Sequence, residues 1–231
     1  MKLKTISITL ALVAALGISL LTMNSCSKDN TVTPAGNNVE LSYISSAGIA
    51  DASGTLVLDT VKILLKDIKL NVASSSDTTN FKAGPYVLYL NLNSRVNTIG
   101  SEFIRVGTYD KIQFEVHKLS DSEPIPDPDF TEGSARFSVV VKGTYNGVRF
   151  VFKSDKSAKQ KISFPSSLIV TETTSNVTLI VRPYIWFLDS SNGYLDPGNP
   201  ANRNEIENNI KDNIKASFKS CRDNNKDGVP D

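Results

Sequence analysis

The sequence has few of the residues on which metal and nucleophile sites are usually built. Its 231 residues include two cysteines, one tryptophan and a single histidine, His117. A zinc site needs several His or Cys ligands, which this chain does not have. A Ser-His-Asp triad would have to use His117 and gather it with acidic residues in a cleft, but no nucleophile motif accompanies it. No glycine-rich phosphate loop is present either, so we predict that the protein is not an enzyme.

The chain also lacks an excess of charge of either sign. Its formal net charge is +1, with 21% charged and 40% hydrophobic residues. These values are ordinary for a globular protein. Nucleic-acid binding usually requires a strongly basic face, so no nucleic-acid partner is predicted.

The first 25 residues have the pattern of an export signal. Two lysines within residues 1–4 precede an apolar run at residues 6–21, which contains no charge. About 20 apolar residues are needed to span a bilayer comfortably, and this run is shorter. A basic start followed by a short apolar stretch is typical of a secretory signal peptide. We therefore predict a signal peptide over residues 1–25 and an exported protein.

The end of this segment, Thr22-Met23-Asn24-Ser25-Cys26, resembles the lipobox of bacterial lipoproteins. The resemblance implies that Cys26 bears a diacylglyceryl group and becomes the first residue after cleavage. It also implies a membrane partner through the lipid anchor. Acyl chains contribute about 0.8 kcal/mol for each buried CH₂. No Asp follows Cys26, which favours placement at the outer membrane or cell surface, and the polar residues 26–38 are predicted to be a tether.

Two alternatives remain for Cys26 at this point. The segment could be an ordinary signal peptide in which the cysteine is incidental. Without lipidation, a disulfide between Cys26 and Cys221 would also be available.

Residues 39–190 are predicted to form a β-sandwich domain. Short runs rich in Val, Ile, Thr, Tyr and Phe alternate with polar residues and are separated by turn residues. Asn146-Gly147 predicts a two-residue hairpin, because both positions of a type I′ turn require positive φ. The fold class is therefore mainly β, an antiparallel sandwich or an open barrel, with one C-terminal helix.

One segment of this domain, residues 120–133, is predicted to be a long exposed loop. It contains three prolines and five acidic residues, among them Asp127 and Asp129. These two carboxylates are interpreted as solvated charges rather than as a glycosidase pair, since nothing in the sequence frames them rigidly.

Residues 191–231 are predicted to contain a helix and an acidic loop. Asn204 is placed as the N-cap, with Glu207 at the third helical position. Apolar residues then recur every four positions, which predicts a helix that packs on the sheet; they are Ile206, Ile210, Ile214 and Phe218.

The strand sequence Gly107-Thr108-Tyr109-Asp110-Lys111-Ile112 resembles a phrase found in uncharacterised bacterial lipoproteins with a β-sandwich domain. The resemblance extends over residues 56–186. It implies export and a sandwich fold. It implies no reaction, and it assigns no catalytic residue to this chain.

The last nine residues have the spacing of a calcium loop. Oxygen-bearing side chains occupy positions one, three, five and nine, and Gly228 occupies position six; the predicted ligands are Asp223, Asn225, Asp227 and Asp231. Ca²⁺ prefers oxygen ligands, and a glycine at position six allows the sharp bend. The string resembles the loops of thrombospondin type-3 repeats. The alternative is a solvated acidic tail that binds no metal.

Whether Tyr184 and Trp186 are exposed or buried distinguishes two hypotheses about function. Alternation in a strand would place both rings on one face, where they would stack on a sugar if exposed and join the core if buried; the core is favoured. Burial favours the leading hypothesis, a non-catalytic lipoprotein with a structural, adhesion or binding role. Exposure favours the alternative, a glycan-binding module of a surface nutrient-uptake system. The sequence leaves the identity of a glycan or protein partner open.

Overall fold

The computed structural model describes residues 36–45, 54–82, 84–90 and 95–231. The predicted signal peptide, Cys26 and most of the predicted tether lie outside these residues. Thirteen strands and one α-helix, α1 (Arg203–Ser217), are described. The strands are β1 (Val39–Ser45), β2 (Leu56–Val72), β3 (Thr78–Lys82), β4 (Tyr86–Leu90), β5 (Asn97–Glu102), β6 (Gly107–Val116), β7 (Thr131–Glu132), β8 (Ala135–Arg136), β9 (Val139–Tyr145), β10 (Val148–Ser154), β11 (Ala158–Val170), β12 (Ser175–Val181) and β13 (Phe218–Arg222).

The larger sheet is organised around β2, which has 17 residues and takes part in two groups of strands. Its first half lies between β9 and β4, and β10 continues the sheet beyond β9. Its second half lies between β6 and β3, and β11 continues the sheet beyond β6. A bulge at Asp67, whose φ is 54°, marks the change between the two halves. A bulge of this kind bends the strand, so one strand serves both groups.

The smaller sheet has the order β13-β12-β1-β5. The pairing of β1 with β12 is parallel, so the sheet is mixed. Residues from both sheets meet in one apolar cluster, with Leu41 and Leu179 from the small sheet and Leu58 and Ile63 from the large sheet. The prediction of a mainly β sandwich with one helix is therefore confirmed. The parallel ladder was not predicted, because pattern within a strand carries no information on the direction of its neighbour.

The Asn146-Gly147 hairpin is confirmed between β9 and β10. The two residues have φ values of 49° and 79°, as a type I′ turn requires. Val148 lies opposite Tyr145 in the register, so the turn has two residues.

The C-terminal helix begins and ends at different residues from those predicted. A short 3₁₀ turn, Pro200–Asn202, precedes it, and the Asn199 side chain accepts a hydrogen bond from the Ala201 N–H. Asn204 therefore lies inside the helix and is not its cap. Ile206 and Ile210 are buried as predicted; the side chains of Ile214 and Phe218 lie outside the described part of the chain. The helix ends at Ser217, and the predicted stripe extended one residue too far, into β13. No helix among the described residues has the length and apolarity to cross a membrane.

Candidate functional site

The predicted calcium loop, residues 223–231, is docked on the small sheet through Asp223. Asp223 has 0% exposure, and its Oδ2 accepts hydrogen bonds from Thr178 Oγ1 (2.7 Å) and the Gly228 N–H (3.0 Å). Its Oδ1 accepts from the Asp227 N–H (3.0 Å). The Asp223 carboxylate thus bonds to two N–H groups within the loop and also joins the loop to Thr178 on β12. The solvated-tail alternative is wrong for this residue, because a buried carboxylate with three donors is part of the packed structure.

Two left-handed residues bend the loop. Lys226 has a φ of 58° and Gly228 a φ of 81°, so the glycine at position six occupies the conformation for which it was singled out. A Cβ atom on Gly228 would lie 2.7 Å from Ile44 Cδ1. Gly228 is therefore favoured by its backbone angle, and a side chain there would also displace the end of the Ile44 side chain.

The other three predicted ligands lie at the surface of the loop. Asp227 Oδ1 accepts from the Val229 N–H (2.7 Å), and its Oδ2 accepts from Asn225 Nδ2 (2.9 Å). Asp231 Oδ2 accepts from the Asn224 N–H (2.9 Å). In the described part of the chain, no three His, Cys, Asp or Glu side chains converge as metal ligands. The side-chain oxygens of these residues are hard ligands of the kind that Ca²⁺ prefers. The exposed oxygens keep lone pairs that are not used in hydrogen bonds to N–H groups.

Further contacts hold the loop against strands distant in sequence. Asn224 Oδ1 accepts from the Asn176 N–H (3.0 Å), and Asn176 Nδ2 donates to the Asp223 carbonyl (2.8 Å). Lys226 Nζ lies 2.7 Å from Glu40 Oε1 on β1. This hydrogen bond, together with that from Thr98, lowers the pKa of Glu40. The loop is therefore tied to both β1 and β12.

Cys221, on β13 just before the loop, is a buried free thiol. Burial raises its pKa to about 11, and the carboxylates of the loop add to that effect. A thiol with such a pKa is a poor nucleophile.

Residues 120–133, here called the acidic strap, are largely exposed but are docked on the large sheet through one aromatic side chain. Phe130 has 0% exposure and packs in an apolar cluster with Leu64, Leu119 and Val140. This cluster lies apart from the main core. The prediction of a long exposed loop therefore holds for most of the strap but not for Phe130, whose ring inserts into an apolar depression formed by β2 and β9.

Lysines of β2 and β9 neutralise the strap. Lys62 Nζ lies 2.7 Å from Asp127 Oδ2 and 2.8 Å from Asp129 Oδ2. Lys142 Nζ lies 2.8 Å from Asp129 Oδ2. Hydrogen bonds from Lys142 and Lys62 lower the pKa of Asp129. The interpretation of Asp127 and Asp129 as solvated charges is therefore wrong; each is a partner in an ion-pair network.

His117 belongs to a second group of ion pairs, at the start of the strap. Its Nε2 lies 2.8 Å from Glu123 Oε2, and its Nδ1 lies 3.6 Å from Glu115 Oε1. The Glu123 carboxylate also accepts from the Ser120 N–H (2.8 Å) and Lys66 Nζ (3.0 Å). Among the described residues, no hydroxyl or thiol is a hydrogen-bond partner of the imidazole. Acidic residues thus gather around His117, but without a nucleophile, and they hold the start of the strap.

Glu123 makes the attachment of the strap sensitive to acid. The Ser120 N–H, then His117 and Lys66, lower its pKa from 4.5 to about 2. A depressed folded-state pKa contributes stability that is present above the unfolded-state value. This contribution is therefore complete above pH 4.5 and is lost as the pH falls from there towards 2.

One sequence pattern indicates that a segment packs on the outer face of the large sheet, and the sequence interpretation did not use it. Ile63-Leu64-Leu65 and Val139-Val140-Val141 are apolar triples in paired strands, and every member is buried. Side chains alternate between the two faces of a strand, so the middle residue of each triple faces away from the main core. Such an apolar residue is buried only if another segment packs over it, and the strap does so through Phe130.

Tyr184 and Trp186 are buried, with 7% and 0% exposure. They lie in a 3₁₀ helix, Pro183–Phe187, and not in a strand, so the predicted alternation does not apply. Proline at the first position sets a φ compatible with a helical turn. Neither ring offers a face to a sugar, and the ligand-stacking interpretation of these two residues is wrong; the favoured core interpretation is correct.

No protein-family model matches this chain, and no curated protein matches it. A solved structure to which it is similar is MbnP from Methylosinus trichosporium. The two share 10% identity, with a TM-score of 0.42, over 71% of this chain and 81% of the other.

Proposed function

We propose that this protein is an exported, lipid-anchored β-sandwich without catalytic activity, which binds Ca²⁺ through residues 223–231 and serves a structural, adhesion or binding role. The observation that carries the calcium part is the folded loop itself. A glycine at position six has the required φ of 81°, and the position-one carboxylate accepts the N–H groups of positions five and six. The loop is thus bent before any cation arrives, which reduces the entropy cost of binding.

The residues that would hold the cation are Asp223, Asn225, Asp227 and Asp231. Asp223 supplies a buried carboxylate at the base of the loop, and the other three supply exposed oxygens. Bound calcium would add a hard cation that draws these oxygens together. Arg222 Nε, 3.6 Å from Asp231 Oδ2, competes for one of them. An affinity in the weak range of extracellular modules, about 10⁻⁴–10⁻³ M, fits that competition.

Calcium is expected to raise the melting temperature. A free concentration ten times Kd stabilises the folded state by about 1.4 kcal/mol. For a chain of this size, that corresponds to a rise of about 3 °C. The measurement is a thermal melt with Ca²⁺, with Mg²⁺ and with EDTA.

Asp227→Asn should abolish this rise, whereas Asp212→Asn, an exposed acid on α1, should leave it unchanged. Equal melting temperatures in Ca²⁺ and EDTA would remove calcium from the proposal. So would an equal rise in the Asp227 variant.

The anchor is proposed at Cys26. Labelled palmitate supplied to the cells in which the protein is naturally made should be incorporated into the chain, and Cys26→Ser should remove the label. Cys221→Ser is the matched control, because that thiol is buried and should not carry lipid. Label that persists in the Cys26 variant would contradict the anchor without bearing on calcium.

The glycan-binding alternative depended on exposure of Tyr184 and Trp186. Their burial leaves it without the residues on which it was based. The non-catalytic proposal is supported by the surroundings of His117, whose partners are carboxylates already used to hold the strap.

A further inference from the structure

The outer face of the large sheet carries an ordered set of polar side chains where β2, β6 and β11 run side by side. Lys69 lies opposite Gln113, which lies opposite Lys161. The adjoining positions Leu70, Ile112 and Ile162 are buried in the main core. Because side chains alternate between faces, the Lys69–Gln113–Lys161 row points away from that core.

These residues line a groove, here called the lysine groove, with a volume of about 230 Å³. Its charged and polar lining is Asp67, Lys69, Gln113, Glu115, Lys159 and Lys161, together with Gln160, which is buried. The β2 bulge forms one wall, because two residues there, Asp67 and Ile68, stand opposite the single residue Phe114. Ile68 remains in the core and Asp67 is exposed. The groove therefore owes its shape to the bulge and not to a mobile loop.

The lysines of the groove differ from others on the same face. Lys66 is paired with Glu123 and Lys111 with Asp110. Within the described part of the chain, Lys69, Lys159 and Lys161 have no carboxylate within 4 Å. The groove thus presents cations that are not neutralised by close ion pairs of its own.

The spacing of these cations suits one oxyanion. Neighbouring strands lie about 4.8 Å apart, so the backbones at Lys69 and Lys161 are separated by about 9.6 Å, with Gln113 between them. A lysine side chain is long and flexible, so both ammonium groups can lean over the Gln113 carboxamide. Three sets of N–H donors then converge on one point, which is the arrangement that a phosphate oxygen cluster accepts.

The acidic end of the groove further restricts the class of ligand that can bind. Asp67 and Glu115 line it beside the lysines, and they would repel a simple polyanion. A carboxylate accepts hydrogen bonds from hydroxyl groups. We propose that the lysine groove binds a phosphate ester that also bears hydroxyl groups, with the phosphate between Lys69 and Lys161 and the hydroxyls towards Glu115 and Asp67. This chemistry is common to soluble polyol phosphates and to the headgroups of hydroxylated phospholipids.

Glycerol phosphate is the soluble probe for this proposal. The full-length Cys26→Ser chain, which carries no lipid, is titrated in EDTA and followed by NMR at the Gln113 side-chain amide and the backbone amides of the lysine groove. A saturable shift with a Kd of about 1 mM is expected, and the double change Lys69→Gln, Lys161→Gln should weaken it at least tenfold, which corresponds to about 1.4 kcal/mol. Glycerol without phosphate should produce no saturable shift.

Lys211→Gln, on the exposed side of α1, is the matched control and should bind as the parent chain does. The single change Lys161→Gln, on the edge strand β11, provides a second test in case the double variant is unstable. It should weaken binding about threefold to fivefold, within the range expected of one exposed charged contact.

Vesicles distinguish the two sources of the ligand. Co-sedimentation with phosphatidylglycerol in phosphatidylcholine, lost in the Lys69/Lys161 double variant, would identify a lipid headgroup. Binding of glycerol phosphate without co-sedimentation would identify a soluble ester. No saturable shift with glycerol phosphate and no co-sedimentation would overturn the proposal, as would equal binding by the double variant. The calcium and anchor proposals are unaffected by either result, because EDTA is present and Cys26 is replaced.

Discussion

Asp223→Asn is expected to lower the free energy of unfolding by about 3 kcal/mol. The wild-type carboxylate is buried and accepts three hydrogen bonds, from Thr178, Asp227 and Gly228. An amide in its place turns an NH₂ group towards at least one of these donors. A buried donor left without an acceptor costs about 1–3 kcal/mol, and more where the lost partner was charged. The change also removes a charge that two backbone N–H groups were oriented to meet.

The measurement is urea unfolding in EDTA, so that no cation contributes. Asp227→Asn is the matched control, because Asp227 is exposed and the variant retains the oxygen that accepts from the Val229 N–H. We expect the control to lose less than about 0.5 kcal/mol, as surface substitutions usually do. Equal losses in the two variants would contradict the assignment of Asp223 as the residue that docks the loop.

Phe130→Ala is expected to destabilise the protein by about 3 kcal/mol. Replacing a buried Phe by Ala typically costs about 3–5 kcal/mol, and less where the site collapses. Phe130 belongs to a surface strap that can relax, so the lower end of the range applies. Its loss uncovers Leu64 and Val140, which face away from the main core.

Ile125→Ala is the control for this variant. Ile125 belongs to the same strap but has 49% exposure, so its truncation should cost less than about 0.5 kcal/mol. Limited proteolysis adds a local readout, since the Phe130 variant should be cut within residues 120–133 and the Ile125 variant should not. Resistance of the Phe130 variant to cleavage, with unchanged stability, would show that the ion pairs alone hold the strap.

The Asp223 and Phe130 variants test the C-terminal loop and the acidic strap, the two places where the sequence predicted the structure incompletely. In the strap, prolines and acidic residues are local features, and they predicted a loop between strands. The partners that fold it down, Lys62 and Lys142, are on β2 and β9. Lys62 and Asp127 are 65 positions apart in the chain. No local pattern brings such residues together, although the unbroken apolar triples at residues 63–65 and 139–141 called for a cover.

In the C-terminal loop, too, local sequence predicted part of the structure and contacts distant in the chain decided the rest. The spacing of Asp223, Asn225, Asp227 and Gly228 predicted a bent loop, because a glycine is needed where φ is positive. The burial of Asp223 depends on Thr178 and Asn176, which are on β12 and are brought close by the pairing of β12 with β13. The sequence did not predict β13, since Phe218 continued the apolar spacing of the helix.

The sequence by itself determined the mainly β character of the domain, the Asn146-Gly147 hairpin and the presence of one helix. Those features follow from side-chain alternation and turn chemistry, which act over a few residues. Only the tertiary structure decided the parallel pairing of β1 with β12, the burial of Tyr184 and Trp186, and the docking of the strap and the C-terminal loop. Each of these depends on contacts between residues far apart in the chain, and such contacts form only when the whole sandwich is assembled.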